Sequence, residues 1–182
     1  MRTATAPRTR RAPPKAIAPL SCAALVLAGT WLGPLPALAR HSFAAHMAMH
    51  TALVALAAPL LAAALAASAL DPVRRMPHLF PPVALAMGDL LVVWGWHVPA
   101  LHHLARGSAP GLVAEQASFL LAATWVWTSA LGGGARRGGN RAAAGMLALL
   151  LGFMHMVLLG VLLAVAPRPV YAHGARPPGF DA

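Results

Sequence analysis

His46 and His50 stand four residues apart in HSFAAHMAMH, residues 41–50, a stretch with three histidines and two methionines. On a helix this spacing puts both imidazoles on one face, with Met49 projecting from the same side. Neutral imidazole ligates copper, zinc or iron, and methionine thioether selects soft Cu(I), so a single helix supplies several metal donors. The pair also has the spacing of the zinc-protease box HExxH. Met47 stands where the catalytic Glu would be, which removes the general base and with it the hydrolytic reading. A polar entrance to an apolar helix is the competing account of the same residues.

Further donors recur downstream. WGWHVPALHH, residues 94–103, contributes His97, and Glu115 and Gln116 follow in LVAEQASF. The expected metal set is His46, His50, His97, Met49 and Glu115, with Met47, Met154, His155 and Met156 as possible additional ligands. His102, His103 and His173 are expected in solvated loops. His155, deep in an apolar run, reads equally as a ligand or as an interhelical hydrogen-bond partner. Paired histidines on facing helices can also hold a b-type haem, and His50 with His97, or His155 with His97, would serve. No catalytic residue is expected. Asp89 reads as structural, paired with Arg136 or Arg137 or hydrogen-bonded between helices. Trp94, Trp96, Trp125 and Trp127 read as membrane-interface residues. The single cysteine, Cys22, excludes an internal disulfide and any multi-cysteine metal site.

The elements that must position these groups are apolar. Of 182 residues 59% are hydrophobic and only 10% charged, where a soluble domain carries roughly a quarter. The deficit predicts an all-α, polytopic transmembrane bundle. Four core spans are expected at 44–70, 82–104, 111–131 and 142–166, joined by short links that favour antiparallel neighbours. Pro59 is expected to kink the first. Residues 16–39 form either a further transmembrane helix or a signal peptide ending at ALA, 37–39. The domains expected are a basic cytoplasmic tail at 1–15, that apolar segment, a four-helix membrane domain at 40–174 and an outer tail at 175–182.

The net charge of +10 is scattered between apolar runs and fits topology signals rather than nucleic acid. Five basic residues precede the first apolar segment. Arg74 and Arg75, then Arg136, Arg137 and Arg141, mark two further loops on that side. Arg40, Arg106, Arg168 and Arg176 are the sparser set on the other. The positive-inside rule then places the N-terminus in the cytoplasm, if it is not cleaved, and the C-terminus and most histidines outside.

Four motifs in order, HSFAAHMAMHTALVALAAPLL, WGWHVPALHHLA, LVAEQASFLLAATWVW and APRPVYAHGA, resemble the bacterial CtaG family of caa3-type cytochrome c oxidase assembly factors. The resemblance covers roughly residues 41 to 174. The matching positions are His46, Met47, His50, Trp96, His97, Pro99, Glu115, Pro169 and Tyr171. It implies a multi-pass plasma-membrane protein needed for active haem–copper oxidase, with the oxidase subunits and the lipid bilayer as partners and copper as the cofactor. Two departures stand out. Gln116 replaces the histidine of the family's EH pair, and the chain ends at GFDA before the family's DQQ segment, as expected of a short or truncated member. A b-type haem electron carrier and a copper-transport protein are the alternatives.

Overall fold

The computed structural model describes residues 14–39, 41–134 and 138–165. Arg40, Arg136, Arg137, Arg168, Pro169, Tyr171, His173 and Arg176 lie outside them, as do both expected tails apart from Pro14 and Lys15. The described chain is helical, without a strand. Its helices are α1 (Pro14–Leu32), α2 (Leu35–Ala39), α3 (Phe43–Thr51), α4 (Ala58–Ala66), α5 (Pro72–Arg75), α6 (Pro82–Trp96), α7 (Pro99–Gly107), α8 (Ala109–Leu131) and α9 (Gly139–Ala164). A π-helical segment, Ala52–Ala57, joins α3 to α4, and a 3₁₀ turn, Pro77–Leu79, precedes α6.

Lys15–Leu32, Phe43–Ala66, Pro77–Trp96 and Gly139–Ala164 are each long and apolar enough to cross a membrane. The expected span at 111–131 is α8. Its 23 residues reach about 35 Å, enough for a hydrocarbon core of about 30 Å. Yet α8 buries Glu115, Gln116, Thr124, Thr128 and Ser129, a polar load unsuited to contact with lipid. It packs against α4, α6, α7, α9 and the π segment, so protein neighbours cover it. The most polar long helix therefore occupies the centre of an all-α membrane bundle. The α1 helix packs on α4 and the π segment; Ala16, Ala23 and Thr30 are buried on it, and Ala57, Ala58 and Ala62 on its partners. Small side chains let membrane helices approach closely.

Two prolines shape the end that carries the histidines. The expected span at 82–104 is two helices rather than one. Pro99 disfavours the helical conformation for the residue before it, and Val98 is extended with φ −64° and ψ 134°. His97 thereby becomes the C-cap of α6, and α7 turns back, packing on α8. The α7–α8 join is so tight that a Cβ on Gly111 would meet the Leu104 carbonyl. Pro59 acts less by kinking than by widening the helix. Proline supplies no N–H and crowds the preceding turn, and just before it the bonding shifts to π, with Ala58 N–H reaching the Leu53 carbonyl.

At the opposite end, Asp71 ties two loops together. Its carboxylate accepts from Val73 N–H at 3.0 Å and from Gly133 N–H at 2.8 Å. Gly133 has φ 95°, in the left-handed region open to glycine. Arg141 donates to the Phe80 carbonyl at 2.8 Å.

Candidate metal centre

Ser42 starts α3, its side-chain oxygen accepting from Ala45 N–H at 3.3 Å, and the next turns aim His46 and His50 at α8. Their Nε2 atoms lie 2.9 Å apart. Glu115, fully buried on α8, places Oε1 3.4 Å from His46 Nε2 and 3.8 Å from His50 Nε2. A point equidistant from these three atoms lies about 2.0 Å from each, the length of a metal–imidazole or metal–carboxylate bond. His46, His50 and Glu115 can thus hold one metal ion between them. Glu115 Oε1 has no hydrogen-bond partner, an expensive condition for a buried carboxylate oxygen that a cation relieves.

The surroundings hold these side chains in place. The Gln116 side-chain amide lies 3.0 Å from His50 Nδ1 and donates to Glu115 Oε2 at 3.2 Å; a metal on His50 Nε2 calls for Nδ1–H, which the amide oxygen of Gln116 would accept once the amide is turned over. The residue that departs from the family's EH pair is therefore built into the cluster. The Phe119 ring meets the His50 ring edge-on at 4.6 Å and stacks on His97 at 6.3 Å. The indole of Trp96 donates to Ser118 Oγ at 2.8 Å, and that hydroxyl donates to the Glu115 carbonyl at 2.8 Å. Trp96 is thus an interhelical tie that fixes the turn bearing Glu115, beyond any role at the interface.

The other expected residues fall into separate places. His97 lies one tilted ring contact from His50, with centroids 6.0 Å apart. Its Nδ1 donates to the Val93 carbonyl at 2.7 Å, which leaves Nε2 as the unprotonated nitrogen. Just past the end of its span, His97 is held below the usual imidazole pKa by burial, against the opposing pull of the Val93 carbonyl and Glu115. Met47 and Met156 line a cavity of about 80 Å3 together with His50 and His97. Met49, buried, borders a second cavity of about 120 Å3 with Gln116. Met154 is 54% exposed and faces away from both. His155 Nε2 donates to Asp89 Oδ2 at 3.2 Å, so Asp89 finds its partner across the bundle. Asp89 lies eight residues before His97, about 12 Å deeper along α6.

One residue was missed by sequence reasoning. His102 was expected in a solvated loop but is buried on α7, its ring 5.4 Å from that of His46. The signal was present in PALHHLARG: Pro99 opens a new helix, and His102 and Ala105 fall on its inward face. His103 and His41 are exposed, and His78 is exposed at the opposite end.

Neither a curated protein nor a solved structure matches this chain. One family model does, across residues 2–181, well beyond the four motifs. By that match, and with its histidine-bearing helices in the order the motifs require, the chain belongs to the cytochrome c oxidase caa3 assembly factor family, CtaG.

Proposed function

We propose that this chain binds copper at His46, His50 and Glu115 and delivers it to cytochrome c oxidase during assembly, from the outer face of the plasma membrane. The observation that carries the proposal is the convergence of three buried donor atoms within 3.8 Å of one another. Three ligands make an open set, which suits an ion that must leave better than a closed structural site does. Met47, Met49 and Met156 around the centre favour copper over zinc. The distribution of arginines supports an outward orientation of this end. The carboxylate offsets part of the ion's charge in an interior where an uncompensated charge is costly.

The geometry also favours an ion over a haem. The cavity between His50 and His97 is about 80 Å3, whereas organic ligands occupy pockets of about 300 Å3 or more. Transport through the bundle has less support than delivery at one face, because the buried apolar cluster of Val93, Phe119 and Leu159 lies between the triad and the buried polar groups deeper along the helices.

The test is metal and haem content of the detergent-purified protein beside a His46→Ala/His50→Ala variant, with oxidase activity of cells carrying each. The wild type should hold copper without a Soret band, and the variant should lose both copper and the ability to restore the oxidase. Full restoration by the variant would remove these histidines from the function.

A further inference from the structure

Of the potential donors that the triad leaves unused, three line one cavity. Met47 from α3, His97 from the end of α6 and Met156 from α9 line the 80 Å3 cavity, with Val93 and Phe119 as apolar wall. We infer that this cavity is a second metal station, selective for a soft monovalent ion of the Cu(I) class. It deepens the copper-delivery reading and rests on that reading for its purpose.

The donor types carry the inference. Two thioethers and an imidazole are uncharged, and no carboxylate is among the lining residues. A divalent ion there would keep its full charge in an apolar pocket, whereas a monovalent ion pays a smaller desolvation penalty. Thioether sulfur is a soft donor that selects Cu(I). The hydrogen bond from His97 Nδ1 to Val93 sets the tautomer and ring orientation that a ligating histidine needs. His50 borders the cavity and also belongs to the triad, so the two stations adjoin. An ion can pass between them by exchange of ligands, with no change of oxidation state.

The experiment uses the full chain in detergent with two probes, silver(I) as a redox-inert Cu(I) substitute and cobalt(II) as a divalent ion. A Met47→Leu/Met156→Leu variant removes both thioethers while nearly conserving volume. Its silver(I) affinity at one equivalent should fall by about tenfold or more, with cobalt(II) binding unchanged. A His46→Ala/Glu115→Gln variant should show the converse, losing cobalt(II) and retaining one silver(I). Unchanged silver(I) binding in the methionine variant overturns the second station. Loss of both ions together in that variant overturns it as well, since it would mean one shared site. Retention of cobalt(II) by the His46/Glu115 variant instead counts against the triad, which distinguishes the two failures.

Discussion

Two places in this molecule set a carboxylate against imidazole inside the bundle, and they are built differently. Asp89 and His155 meet singly, 3.2 Å apart, between α6 and α9. Along those helices they lie between an apolar layer of Ala86, Val126 and Ala148 and another of Val93, Phe119 and Leu159. Glu115 instead meets two imidazoles at once, with one cavity bordering His50 and a separate one bordering Gln116. The first arrangement is a strut between helices. The second gathers three donors on one point with space beside it. A buried acid in a membrane helix is therefore not by itself a candidate ligand; convergence and room distinguish the two.

The largest effect that would test this contrast comes from Glu115→Gln. The amide keeps the size of the side chain but removes its charge, and metal affinity should fall by about 100-fold, the upper end of what outer-shell changes cost. A titration showing less than a tenfold change would break the distinction. Asp89→Asn should act in the opposite sense. It weakens the strut, lowering stability in detergent unfolding by about 1 kcal/mol, and leaves metal affinity unaltered; a large loss of metal there would make the two clusters one system. Trp96→Phe is the smallest. Losing the indole bond to Ser118 should cost about 0.5–1 kcal/mol and loosen metal binding by only a few-fold, because it frees the turn that aims Glu115. An effect on stability alone would show that this tie supports the fold and not the site.

The sequence made the long apolar helices readable because lipid imposes a length and a composition that few other environments do. It also marked His46, His50 and Glu115 by residue type. The centrality of α8 was harder to read, since burial of Glu115, Thr124 and Thr128 depends on four neighbouring helices rather than on their own surroundings in the chain. The pairing of Asp89 with His155 spans 66 residues and depends on how two helices are rotated about their axes. Hydropathy ran the 82–104 segment together because Pro99 sits among apolar residues; the local steric rule for the residue before proline, which cut it, takes no account of hydropathy. His102 was misplaced with it, expected in solvent past the span instead of on the buried face of a separate helix.

The π segment at Ala52–Ala57 has a consequence for how this chain tolerates changes of length. A π turn is in effect an α-helix that has absorbed one extra residue without rotating what lies on either side. Removing a single alanine from within it should therefore relax the helix to regular α form, with His46 and His50 still facing Glu115 and metal titration unchanged. The same one-residue deletion in α4, where no surplus exists, would turn the histidines by about 100° relative to the packing beyond it. The helix thus carries one position where its length is adjustable, placed between the half that packs on α1 and the half that carries the histidines.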